Sequence, residues 1–316
     1  MKIVKQMLPL IIAMAGLLLL FGLYVPNFLN IENMLDLIQQ ISVNAILAFG
    51  MTLVILIGGI DLSVGALLAL VGTTTVCVLT NGSPDHQSLL WLAIAMLSGL
   101  CVAGCFGAFN GLCAAKTKMP PFIITLAVML VARGAALRFN EGRPMHIPGD
   151  QTIFLALGNG RLFDVVPVPV IVMLVLFLVT TVLLHRTSFG QHLYAIGGNR
   201  QAAKFTGISL VRIEIIVYII CSTLTGIAGM IHTSQLYSAE PASGVMFELN
   251  AIAAAVVGGT SFTGGRGTMY GTLIGAIIIG ILDKGLNQAG VHFSLQYIVK
   301  GIVILAAVYV DVRRRK

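Results

Sequence analysis

The chain is predicted to be an all-α, polytopic transmembrane helical bundle, and three observations carry that prediction. Of its 316 residues, 57% are hydrophobic and only 10% are charged, against about 25% charged in a soluble domain. Mean hydropathy is +0.97. Apolar stretches long enough to cross a bilayer recur along the whole chain, without the short alternating strands of a β-barrel.

Ten spans are read, over residues 8–25, 40–58, 62–80, 89–115, 121–139, 166–185, 213–236, 248–264, 268–283 and 293–310. The first follows Lys2 and Lys5 as a secretory signal would. No small-residue cleavage site follows it, and Pro26-Asn27-Phe28 reads as a helix exit, so it is taken as an anchor. With the N-terminus in the cytoplasm, thirteen basic residues fall inside: Lys2, Lys5, Lys116, Lys118, Arg186, Arg200, Lys204, Arg212, Arg266, Arg313, Arg314, Arg315 and Lys316. Four fall outside: Arg138, Arg143, Arg161 and Lys284. That asymmetry orients the chain by the positive-inside rule, with both termini cytoplasmic. The whole chain, 1–316, is expected to be one transmembrane domain with a long cytoplasmic loop at 186–212.

The net charge of +7 is therefore a topology signal, and nucleic-acid binding is a poor reading of it. Five cysteines lie in or beside spans, and their odd number argues against a complete disulfide framework. Cys101 and Cys105 stand at i, i+4 with no His or acid on the same helix, so packing is preferred to a metal pair. Gly99, Ala103, Gly107 and Gly111 in the fourth span, and Gly271 and Gly275 in the ninth, repeat every four residues. Such ridges let helices approach closely in lipid, and they say nothing about substrate.

Two glycine-rich breaks interrupt the apolar pattern. The first, Gly58-Gly59-Ile60-Asp61-Leu62-Ser63-Val64-Gly65, holds an acid, which at membrane depth must face protein, water or the interface. The second is Gly258-Gly259-Thr260-Ser261-Phe262-Thr263-Gly264-Gly265-Arg266-Gly267. Gly-Gly followed by Gly six residues on occurs in both, and Asn-Ala-Ile precedes each, at Asn44 and Asn250. Paired interruptions are the best sequence pointer to a transport pathway. Polar residues along the spans that suit a polyol are Gln39, Gln40, Asn44, Asp61, Ser63, Asn110, Thr125, Ser234, Gln235 and Asn250. Those placed on the translocation pathway are Asn44, Asp61, Ser63, Asn250 and Gln39. Interhelical bonding is the alternative for each of them.

In the cytoplasmic loop, Gly197-Gly198 are expected to turn. Asn199 then caps a short helix from Arg200 to Thr206, which Gly207 ends. Ala202 and Ala203 are small, and Phe205 is an apolar knob. That pattern fits docking into a partner's groove; resting on lipid headgroups through Arg200 and Lys204 is the alternative.

Four ordered segments carry a resemblance: GGIDLSVGALLAL, PPFIITLAVMLVARG at 120–134, LYAIGGNRQAAKFTGI at 193–208 and AIAAAVVGGTSFTGGRGTMYGTLIGA at 251–276. Together they resemble the ribose-type sugar ABC-transporter permeases over nearly the whole chain. The resemblance implies a bacterial inner-membrane permease working as a homodimer. It also implies a cytoplasmic ATPase with two nucleotide-binding domains and a periplasmic sugar-binding protein as partners. By the same resemblance Gly197, Asn199, Ala202, Ala203, Phe205 and Gly207 belong to a coupling helix that enters the ATPase cleft. The outer segment NGSPDHQS departs from the pattern, being shorter and more polar than the family's.

The chain has no GxxxxGK[ST], HExxH or GxSxG sequence. It is read as a transport subunit without an ATPase site, a metal or a cofactor, with ATP and Mg bound by the partner. An ion-coupled secondary sugar transporter using Asp61 is the rival; a membrane-embedded enzyme would need clustered acids or histidines, and the six histidines are scattered. Two cations are expected inside spans: Arg133, and Lys300, which Asp283 is placed to neutralise. The outer loops at 140–165 and 237–249 are expected to receive the binding protein.

Overall fold

The computed structural model describes residues 2–81, 88–117, 119–149 and 151–313. Residues 82–87, at the heart of the divergent outer segment, lie outside the described residues, as do Lys118, Asp150, Arg314, Arg315 and Lys316. The first five helices are α1 (Lys2–Tyr24), α2 (Ile31–Leu56), α3 (Val64–Asn81), α4 (Leu89–Lys116) and α5 (Pro121–Arg138). A loop region follows with β1 (Met145–His146), α6 (Thr152–Asn159), β2 (Arg161–Leu162) and β3 (Val166–Pro167). Then come α7 (Val168–Arg186), α8 (Ser188–Gly198), α9 (Arg200–Phe205), α10 (Leu210–Gln235), β4 (Ser238–Ala239), α11 (Phe247–Val257), α12 (Met269–Gln288) and α13 (Phe293–Arg313).

Eight helices among the described residues are long and apolar enough to cross a membrane, and two expected spans are shorter apolar helices. One of these is α11, whose 11 residues rise only about 16 Å. The span at 248–264, short for a crossing and glycine-broken in its sequence, is thus built as a half-length helix followed by an irregular segment. The cause is the caps: Met246 at φ 70° opens the helix and Gly259 at φ 91° follows its end. The second span, in contrast, begins nine residues earlier than its apolar run, at Ile31. Polar residues in its first turns are tolerated at the end of a helix that is apolar further on.

The bundle is organised around α2 and α10. The apolar window of α2 is 78% buried against 11% for α1, so α2 is a core helix and α1 faces outward. Around α2 pack α7, α10, α11 and α12, while α10 also contacts α3, α4 and α6. The small-residue ridges act as expected. A Cβ on Gly107 would lie 2.6 Å from the Tyr218 carbonyl, and one on Gly111 would lie 2.6 Å from the Ile215 Cα. Larger residues there would push α4 off α10. Gly271 and Gly275 likewise seat α12 against the carbonyls of Gly258 and Ala254. Cys101 and Cys105 are both exposed on α4.

At the end opposite α8 and α9, β1 pairs antiparallel with β4, matching Met145 to Ala239 and His146 to Ser238. The two loops expected to form one outer surface are therefore physically joined. Helix α6 is pinned beneath them: Ser234 Oγ donates to the Phe154 carbonyl at 2.8 Å and accepts the Gly158 N–H at 2.8 Å.

Candidate functional site

The loop after α7 is built from two helices rather than a turn and one helix. Residues 188–198 form α8, so Gly197 and Gly198 are its last helical residues and not the expected turn. The bend sits one residue later, at Asn199 (φ −156°, ψ 101°). There the expected cap is present: Asn199 Oδ1 accepts the Ala202 N–H at 3.0 Å. Helix α9 then runs to Phe205, and Gly207 at φ 85° follows it. Phe205 is 87% exposed and Ala202 is exposed, whereas Ala203 is buried against the bundle. The apolar residues that α9 offers outward are thus Ala202 and Phe205, beside the exposed Arg200, Gln201 and Lys204.

Helix α8 rests on both glycine breaks at once. The Gly265 N–H donates to the Leu56 carbonyl, the last residue of α2, at 2.9 Å. Gly197 of α8 lies against the same carbonyl and against Gly265, so closely that a Cβ would overlap both. Tyr194 Oη donates to the Gly267 carbonyl at 2.8 Å. Burial pushes the Tyr194 phenol up to about 12, so it remains a donor at neutral pH. Its ring stacks on His185 of α7, which in turn stacks on Tyr270 of α12. One junction therefore holds α7, α8, α2 and the start of α12.

The two breaks share a capping geometry. After α2, Gly58 and Gly59 N–H donate to the carbonyls of Ile55 and Val54, with Gly58 at φ 80°. After α11, Gly259 and Thr260 donate to Val256 and Ala255 in the same pattern. Both are left-handed caps that need glycine at the turning residue. The structural match sets Gly58 against Gly259, one residue out of register from the Gly59/Gly259 echo in the sequence.

Within the first break, Asp61 is fully buried. Its Oδ1 accepts from the Ser63 N–H at 2.9 Å and from Ser63 Oγ at 2.5 Å, and Ser63 Oγ accepts from Asn110 Nδ2 at 3.1 Å. Thr125 Oγ1 accepts the Leu62 N–H and donates to the Ile60 carbonyl, both at 3.1 Å. Irregular backbone inside a bundle is tolerated only when protein satisfies it in this way. Asp61 Oδ2, Asn110 Oδ1 and Tyr218 Oη have no protein partner among the described residues. Asp61, Ser63, Asn110 and Thr125 are thus brought together. Gln39, by contrast, donates to the Gly158 carbonyl at 2.8 Å near the α6 end, and Gln40 is exposed. Asn44 and Asn250 are half-buried on α2 and α11, which pack together.

Arg133 lies about 18 Å along α5 from Pro121. Its Nη1 donates to the carbonyls of Pro241 and Ser243 at 2.7 and 2.6 Å. These belong to the irregular segment that leads into α11, and Gly244 of that segment contacts Gly65 of α3. Glu248 stands beside Gly65 as well, at the first turn of α11. Lys300 pairs with Asp283 at 2.9 Å, as expected. Sequence reasoning missed Glu248 here, and also the buried Glu214 of α10, which pairs with Arg200 of α9. The available signal for Glu214 was an acid in an apolar span-forming run one loop away from Arg200.

A bundle of apolar helices with two interrupted elements, both bound to an exposed helical loop, defines a membrane transport subunit. The chain belongs to the family described as the permease component of the branched-chain amino acid transport system, which matches residues 33–308. Sugar permeases are among its relatives. The ribose import permease protein RbsC of Bacillus subtilis is 44% identical over 93% of this chain and 89% of its own length. RbsC of Escherichia coli K12 is 43% identical over 96% and 93%. The D-allose transport system permease AlsC of the same organism is 37% identical over 94% and 89%. No solved structure matches the chain. The ribose-type resemblance is borne out: this is a multi-pass inner-membrane permease subunit of an ABC sugar importer. It is a transport component and not an ATPase, and nucleotide and Mg belong to the partner ATPase.

Proposed function

We propose that two copies of this chain form the translocation pathway of a ribose importer, each with ten membrane-crossing segments and both termini cytoplasmic. Ribose is favoured because the relatives at 40–44% identity are ribose import permeases. In this reading Ala202 and Phe205 insert into a groove of the ATPase, and the α8–α9 pair transmits its movement. The observation that carries this reading is the contact of Gly197 with Leu56 and Gly265, since displacing α8 must displace both breaks. Asn44 and Asn250 lie on the helices that those breaks terminate, Asp61 and Ser63 lie within the first break, and Gln39 lies toward the outer end. The joined loops around β1 and β4 receive the loaded binding protein.

The test is reconstitution of the permease with its ATPase and binding protein in vesicles. Radiolabelled ribose is expected to accumulate with ATP and to be indifferent to collapse of ion gradients. Ala202→Trp is expected to leave ATP hydrolysis running while uptake falls at least tenfold. Ala203 is a poor target for that test, because it is buried. Uptake that persists without the ATPase, or full uptake by Ala202→Trp, overturns the reading.

A further inference from the structure

A crevice of about 910 Å³ lies between α1 and the far side of the second break. Gly16 and Leu17 of α1, Val257 and Gly258 at the end of α11, Ile278 of α12 and Val303 of α13 line it, with Arg266 and Gly267 beside the start of α12. The walls are apolar. Beside the start of α12, Arg266 is exposed and pairs with no carboxylate among the described residues. The N-terminus of the 20-residue α12 opens at the same place, with Thr268 as its cap, adding the positive end of a helix dipole. An apolar slot with a cationic end does not suit a neutral polyol, which needs amides, carboxylates and hydroxyls. It suits a molecule that is a hydrocarbon chain at one end and an anion at the other.

We propose that this crevice is a binding site for one anionic phospholipid, its acyl chain between α1 and α13 and its phosphate at Arg266. Helix α1 packs chiefly on α12, so the slot beside it needs filling. A Cβ on Gly16 meets no atom within 4 Å, which places that residue over open space. The lipid would also brace the junction under α8, because Gly267 both lines the crevice and accepts the Tyr194 hydrogen bond. The inference does not rest on the identity of the sugar or on the coupling mechanism.

The experiment is native mass spectrometry of the purified full-length permease, titrated with phosphatidylglycerol or phosphatidylcholine of the same chain length. The wild type is expected to retain phosphatidylglycerol preferentially, and excess inorganic phosphate is expected not to displace it. Arg266→Gln should lower phosphatidylglycerol affinity about fivefold, the weight of one basic residue at an anionic lipid surface, and leave phosphatidylcholine unchanged. Gly16→Leu, which fills the slot, should weaken retention of both lipids. Equal retention of the two lipids by the wild type overturns the proposal, as does unaltered phosphatidylglycerol affinity in Arg266→Gln. Displacement by free phosphate would mark a plain anion site instead. A change in dimer content with unchanged lipid retention in Gly16→Leu would mark an interface between copies instead.

Discussion

Arg200 on α9 is ion-paired with Glu214 on α10, the arginine side chain half exposed and the glutamate 3% exposed. The pair fastens the exposed loop helix to a core helix of the bundle. Removing Arg200 leaves a buried carboxylate without its partner, a loss of about 1–3 kcal/mol. Arg200→Ala is therefore expected to lower the thermal midpoint of the purified permease, and Glu214→Gln to lower it less. The double variant should recover part of the Arg200→Ala loss. Independent, additive effects would show that the two side chains do not work as a pair.

Neighbouring glycines at the end of α8 offer a sharper contrast. A Cβ at Gly197 overlaps Leu56 and Gly265 backbone atoms, whereas at Gly198 it meets nothing within 4 Å. Overpacking of this kind costs about 1–3 kcal/mol. Gly197→Ala is expected to reduce uptake severely in vesicles matched for protein content, and Gly198→Ala to leave it near wild type. Equal behaviour of the two would contradict the junction.

Tyr194 gives the junction a pH limit. Its phenol sits at about 12 in the folded protein against an ordinary 10.0. The raised value means that the folded state holds the proton more tightly than the unfolded chain. Its contribution is fully present below pH 10 and is lost as pH climbs from 10 towards 12. Wild type and Tyr194→Phe should thus show parallel stability curves below pH 10. Above it the wild type should fall faster, since only its phenol must ionise. Divergence beginning near neutral pH would mean that another group governs the site.

Much of this architecture was legible in the residues. Hydropathy located the helices because a bilayer leaves few alternatives, and the ridge of Gly107 and Gly111 announced a close helix pair. Asn199 and Gly207 marked the ends of α9 through capping chemistry that is local. What stayed hidden was long-range. The Gly197–Gly198 pair reads as a turn unless the carbonyl of Leu56 is known to lie against it. Nothing in the sequence ties Arg133 to the carbonyls of Pro241 and Ser243, because backbone acceptors have no signature. The shortness of α11, by contrast, was legible, because only nine residues separate Glu248 from the glycines of the second break. Gln39 shows the limit for the pathway: an amide facing a sugar and an amide bonding Gly158 look alike in sequence.

The Lys300–Asp283 pair supplies the last test, since both partners lie within apolar helices, α13 and α12. An unpaired charge inside a membrane costs about 2.5–3.5 kcal/mol. Lys300→Ala is expected to strand Asp283 and lower the amount of permease in the membrane. Asp283→Ala should do the same by stranding Lys300. Removing both leaves no unpaired charge, so the Lys300→Ala, Asp283→Ala double variant should return towards wild-type levels. Molecules that do reach the membrane should carry sugar with unaltered apparent affinity, because the pair holds α13 to α12 and touches neither break. Quantitative immunoblotting of membranes, alongside uptake normalised to permease content, separates the two effects. Normal levels with a changed sugar preference in Lys300→Ala would move the pair from the scaffold to the transport path.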